Sequence, residues 1–195
     1  MLLLSNLCPF VVKQFSVPHF SKSVHLHFLF KSFILFLLRT WGDAVKQVDI
    51  YTDGSCLKNP GGPGGWAAIL VYRGIEKVLN GSDPETTNNR MELTAAIMGL
   101  SALKEACEVT LYSDSNYLVR SITEGWVFNW SKKNWIQKQP DKMVPNADLW
   151  QQILKLISFH KVTFIWVKGH DGHPYNERCD RLALSSASAA STVSD

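Results

Sequence analysis

The first 42 of the 195 residues contain no aspartate or glutamate. Their charges are Lys13, Lys22, Lys31 and Arg39, which gives this stretch +4 and leaves 16 basic and 17 acidic groups, or −1, for the rest. A strongly basic body is thereby excluded, and any nucleic acid must be held by a local patch. Cysteine is scarce too. Cys8, Cys56, Cys107 and Cys179 show no paired spacing, which excludes a dense disulfide framework and fits reduced thiols of an intracellular protein. No uninterrupted apolar run is long. The stretch from His25 to Leu38 is strongly apolar, but Lys31 breaks it, and it falls short of the roughly 20 residues of a membrane-spanning helix. The glycine-rich run Asn59 to Gly65 is not followed by Gly-Lys-Ser/Thr, so it lacks the signature of a phosphate-binding loop.

What remains is enough for one well-buried domain and too little for two. Residues 1–45 are set apart as a leader outside the fold, compatible with a transit peptide, a signal or anchor, or an extension from an upstream start. The domain is expected over 46–187. The serine- and alanine-rich residues 188–195 are expected to be a disordered tail. A cytoplasmic location is expected, or an organellar one if the leader is a transit peptide.

Val48, Ile50 and Thr52 alternate with Asp49, Tyr51 and Asp53, the period of a strand. Gly54-Ser55 breaks it, and the glycine-rich run turns the chain back. Gly65 to Tyr72 predicts a second strand and, after the turn Arg73-Gly74, Ile75 to Gly81 a third, forming an antiparallel meander. Asn88 to Glu105 carries Leu93, Ala96, Ile97, Leu100 and Leu103 at helical spacing, with Met91, Ala95 and Met98 alongside, a wide apolar face. Glu108 to Ser113 is a fourth strand, followed by a short helix from Ser115. Pro145 to Asp148 starts another helix, Val162 to Val167 is a fifth strand, and a last helix begins near Asn176. The order β-β-β-α-β-α-α-β-α predicts an α/β fold, a mixed five-stranded sheet of antiparallel meander plus parallel strands, with helices on both faces.

Asp114 ends the fourth strand as Asp53 ends the first. A helical crossover makes these strands parallel, so both carboxylates emerge at one edge, where α/β sheets place their sites. Glu92 lies near the start of the crossover helix and Asp180 near the start of the last. Singly, each has an ordinary explanation, turn chemistry for Asp53 and the helix dipole for Glu92 and Asp180. Four converging carboxylates repel unless a cation neutralises them, and an all-oxygen donor set suits Mg²⁺ or Mn²⁺. A zinc site would need His170, His173 and Cys179 plus a fourth ligand, at spacings that fit no common zinc module.

Tyr51-Thr52-Asp53-Gly54-Ser55-Cys56, Thr86 to Leu93, Tyr112-Ser113-Asp114-Ser115, Trp166 to His170 and Asn176 to Asp180 are together similar to type I ribonuclease H, in order and spacing, from about Lys46 to Ala187. The resemblance implies that Asp53, Glu92, Asp114 and Asp180 hold two Mg²⁺ ions about 4 Å apart, with Mn²⁺ a substitute. It implies His170 as a mobile catalytic histidine that shuttles a proton or aids product release. The implied reaction is endonucleolytic cleavage of the RNA strand of an RNA–DNA hybrid, leaving 5′-phosphate and 3′-hydroxyl ends, by a monomer with no obligate protein partner. Asn88 and Asn89 would contact the minor groove and sugar hydroxyls, with Cys56, Asn59 and Thr87 lining the same surface, since the 2′-hydroxyl is what separates RNA from DNA. Trp126, Trp130 and Trp135, interleaved with Lys132, Lys133, Lys138 and Lys142, resemble a basic protrusion that grips the DNA strand's phosphates. Gly125 stands as an extra residue before it. A hybrid-binding scaffold that does not cut would show a missing carboxylate, and none is missing. A DNA-directed nuclease would not need the Asn88-Asn89 and Lys168-Gly169-His170 motifs.

Overall fold

The computed structural model describes residues 45–137 and 142–192. Its strands are β1 (Gln47–Cys56), β2 (Gly62–Tyr72), β3 (Ile75–Thr86), β4 (Glu108–Ser113) and β5 (Lys161–Trp166). They form one sheet in the order β3-β2-β1-β4-β5. β1 pairs antiparallel with β2 and β2 with β3, whereas β4 runs parallel to both β1 and β5. The mixed sheet is the predicted one. Its helices are α1 (Asn88–Ser101), α2 (Asn116–Thr123), α3 (Trp126–Lys132), α4 (Ala147–Phe159) and α5 (Pro174–Ser191).

Strand alternation sends side chains to both faces, and each face has its own core. On one, Val48, Ile50, Ala68, Leu70, Val109 and Leu111 of the sheet pack with Leu93 and Leu100 of α1, Leu118 of α2, and Trp150 and Ile153 of α4. On the other, Tyr51, Ala67 and Ile69 pack with Cys179 and Ala183 of α5. Arg90 on α1 is paired with Asp148 on α4 through two hydrogen bonds of 3.1 and 2.8 Å, and Trp150 donates to Tyr117 at 3.0 Å. These bonds fix the helical layer over the sheet.

Five local expectations are corrected. The first strand runs through Gly54 to Cys56, and the third through Pro84 to Thr86, because the glycines from Gly62 onward lie inside β2 and pair with Asp83 and Thr86. β3 is an edge strand, where proline is tolerated. α1 ends at Ser101, and Met98 on it is exposed. Trp126 to Lys132 form a helix that the predicted element order lacks. Gly125 before it has φ +75°, a left-handed turn that ends α2 and restarts the chain as α3. The alanine-serine run expected to be disordered from Ser188 is helical through Ser191, because Ser186 and Ala187 are buried and Ser186 accepts a 2.9 Å bond from Asn80. Residues 1–44 of the expected leader and the last three residues lie outside the described residues.

Candidate active site

Parallel pairing aligns Thr52 with Ser113, so the next residues, Asp53 and Asp114, stand side by side where β4 ends and β1 runs on beside β2 alone. Gly54 admits the third carboxylate. A Cβ there would lie 2.2 Å from the Glu92 backbone nitrogen, so only a residue without one lets α1 lie so close to β1. Thr87 caps α1, accepting the Arg90 N–H at 3.3 Å, so the two asparagines that follow it are not needed as caps. Asp180, on the second turn of α5, completes the group.

Asp53 is 8% exposed, and its carboxyl is pushed up to about 8 by burial first and by Asp114 next, with Asp180 and Glu92 adding smaller pushes. The Gly54 N–H, 2.7 Å from its Oδ1, partly opposes them. Glu92 is also raised, by burial and then by Asp114, against hydrogen bonds from Ser115 and Asn88. The Cys179 thiol beneath is pushed up to about 12 by burial and by Asp53, which makes it an inert core group. The four carboxylates thus share one negative field.

Asp114 accepts a 3.2 Å bond from Asn176 Nδ2, and Asn176 Oδ1 is buried without a partner. His170 is exposed on the loop between β5 and α5, at φ 54°, with Nδ1 3.8 Å from Asp180 Oδ2. Among the described residues no three His, Cys, Asp or Glu side chains stand close enough to hold an ion in their present rotamers. The donor set nevertheless fits a hard cation, since it is all oxygen and a positive charge offsets both the burial and the carboxylate repulsion that raise Asp53.

The predicted substrate residues divide. Asn59, Cys56 and Asn88 are brought together: Asn59 Oδ1 accepts the Asn88 N–H at 3.1 Å, and Asn88 Oδ1 accepts the Cys56 N–H at 3.1 Å. Asn89 is exposed beside them. Trp126, Lys132 and Lys133 are exposed on or beside α3, where Trp126, Asn129, Trp130, Lys133, Ile136 and Gln137 line a groove of about 320 Å³. Trp135 does not join them. It is 9% exposed and packs in the main core, its carbonyl accepting the Val144 N–H at 2.8 Å, so its part is structural. Lys138 lies outside the described residues. Sequence reasoning missed Ser115 and Asn176 as partners of carboxylates, though both stand inside the motifs that carried the resemblance.

The RNase H family model matches residues 45–188. A ribonuclease H of Chlorobium limicola is 56% identical over 138 residues, covering 71% of this chain and 93% of that protein. The solved structure of LC9-RNase H1, a type 1 RNase H with the type 2 active-site motif, is similar with a TM-score of 0.69 at 32% identity, over 76% of this chain and 75% of that one. LC11-RNase H1, solved in complex with RNA/DNA hybrid, shares the fold with a TM-score of 0.57 at 23% identity, over 73% of this chain and 98% of that one. With a family match across the whole described domain and more than half its residues shared with a curated relative, the chain belongs to the ribonuclease H family, type I.

Proposed function

We propose that this chain is a monomeric endonuclease that hydrolyses the RNA strand of an RNA–DNA hybrid, leaving 5′-phosphate and 3′-hydroxyl ends, with two divalent cations held by Asp53, Glu92, Asp114 and Asp180. The observation that carries the reading is the group of carboxylates brought from four elements to one edge, where burial first, and then Asp114, Asp180 and Glu92, push Asp53 up to about 8. Mg²⁺ held there supplies an activated water and stabilisation of the departing 3′ oxygen, and Mn²⁺ has the same ligand preference.

The protein's own groups do the rest. Asp53, the most buried of the four, would be the cation ligand most enclosed by protein. Asn88, Asn89, Asn59 and the Cys56 backbone present donors and acceptors together, as sensing a 2′-hydroxyl requires. His170, exposed and 3.8 Å from Asp180, is placed to carry a proton between the site and solvent. Lys132 and Lys133, exposed at the end of α3, give the near-neutral body a local positive patch for the DNA strand's phosphates. Trp126 adds an apolar platform beside them.

The test incubates the purified protein with labelled RNA–DNA hybrid, double-stranded RNA and double-stranded DNA, each with Mg²⁺ and with EDTA. Cleavage of the hybrid's RNA strand alone, in Mg²⁺ alone, is expected. Equal cleavage of either homoduplex, or cleavage in EDTA, would overturn the proposal.

A further inference from the structure

Glu92 is held at both oxygens. Asn88, one helical turn before it, donates its side-chain amide to Oε1 at 3.1 Å. Ser115, at the start of α2, donates its hydroxyl to Oε2. Each partner is itself anchored. Ser115 is 4% exposed, its Oγ also accepts the Leu118 N–H at 3.0 Å, and its own N–H is bound by Ser113 Oγ at 3.2 Å. A serine hydroxyl has one proton; with its oxygen facing the helix backbone, that proton is aimed at the carboxylate. On the other side, Asn88 is tied to Cys56 and Asn59.

We propose that Ser115 is a positioning residue for Glu92, the fixed jaw of a clamp whose other jaw is Asn88. This rests on reading the four carboxylates as a cation site, and it adds what holds one of them in place. A glutamate has three rotatable bonds, and repulsion from Asp53 and Asp114 pushes an unheld one outward. Two donors remove that freedom before an ion arrives. Partners of metal ligands act in this way, and losing one typically lowers metal affinity or activity about 10- to 100-fold.

Ser115 is also the N-cap of α2, and the two roles can be separated. Glycine caps a helix almost as well as serine, yet it has no hydroxyl. The experiment compares wild type, Ser115→Gly and Ser115→Thr by thermal unfolding, by calorimetric titration of Mn²⁺ and of Mg²⁺ without nucleic acid, and by kcat and KM on hybrid. Ser115→Gly is expected to unfold cooperatively near the wild-type temperature and to keep its KM for hybrid. Its kcat should fall, and its Kd for Mn²⁺ rise, each by roughly 10- to 100-fold. Ser115→Thr, which keeps cap and hydroxyl, should match wild type.

Wild-type ion affinity and kcat in Ser115→Gly would overturn the proposal, as would an equal loss in a folded Ser115→Thr. Should the glycine variant not fold, Ser115→Ala takes its place with the same expectation for kcat, KM and Kd and an unfolding temperature lowered by the lost cap. If wild type cuts no hybrid at all, the hybrid reading falls, and the calorimetric comparison alone decides the clamp.

Discussion

Asp53 concentrates the chemistry of the site in one side chain. Burial and three carboxylate neighbours disfavour its charge, so a cation and a proton compete for it. Asp53→Asn removes the shared ligand and the repulsion together. We expect no cleavage from this variant, a retained fold, and a stability in EDTA at pH 8 above that of wild type by about 2 kcal/mol, a carboxyl shift of this kind being worth about 1.4 kcal/mol per pKa unit before relaxation. Added Mg²⁺ should raise the Tm of wild type and leave that of the variant unchanged. Wild-type-like turnover by Asp53→Asn in Mg²⁺ would sink the two-ion assignment. Trp135 and Trp126 give a second contrast. Trp135→Ala, emptying a core position, should destabilise by about 3–5 kcal/mol, whereas Trp126→Ala should leave stability nearly unchanged and raise the KM for hybrid. Chemical denaturation and steady-state kinetics separate the two. The sequence grouped both tryptophans with the lysines because composition does not tell an exposed Trp126 on α3 from a buried Trp135 just beyond it; only the return of the chain at Val144 decides that.

Among the elements, β1 to β5, α1 and the starts of α2 and α4 were legible because their apolar periods are regular and their ends carry glycine, proline or a capping side chain. So were the four carboxylates, since each sits at or within two turns of an element boundary. α3 was not. Seven residues between a left-handed glycine and a turn give too little period to register, and its tryptophans masked what period there is. The extension of β3 was hidden for another reason: Asp83-Pro84-Glu85 has the composition of a turn, and only the pairing of this segment with Gly62 and Gly64 of β2 makes it a strand.

The join between elements also sets a response to acid. His160, 4% exposed at the end of α4, accepts the Cys107 N–H on Nδ1 at 3.3 Å and bonds the Leu100 carbonyl. One neutral ring thereby ties α1, β4 and α4 together. Burial lowers its pKa below the ordinary 6.5. The unfolded chain therefore takes up the proton first, and this contribution to stability is present above pH 6.5 and lost as pH falls through the lower folded value. His160→Leu should cost about 1–3 kcal/mol at pH 7.5 through the orphaned Cys107 N–H, yet flatten the fall in stability between pH 7 and 5. Denaturant midpoints at three pH values check it; an unchanged slope means another group carries the acid response. On α3 and just beyond it, Lys132→Ala with Lys133→Ala should raise KM, spare kcat, and reduce the log–log salt slope of binding by about 0.9 for each phosphate no longer neutralised. Binding isotherms over a series of salt concentrations measure that slope.

At the scale of the molecule, the apolar faces of the sheet are closed by α1, α2 and α4 on one side and by α5 on the other. Every group assigned to the site lies after residue 46. A chain shortened to begin at Lys46 should therefore be soluble, unfold in one cooperative transition and cleave hybrid as the full chain does. Aggregation or inactivity of the shortened chain would place the domain boundary earlier.

The position of α5 has one more consequence, in time rather than in space. Asp53 is among the first residues of the domain to leave the ribosome, and Asp180 among the last. Until α5 has emerged, the growing chain carries three of the four carboxylates, an uncovered second sheet face around Tyr51 and Ile69, and no Asn176 to steady Asp114. Covering the second sheet face and completing the carboxylate group therefore both wait on the last helix to be made.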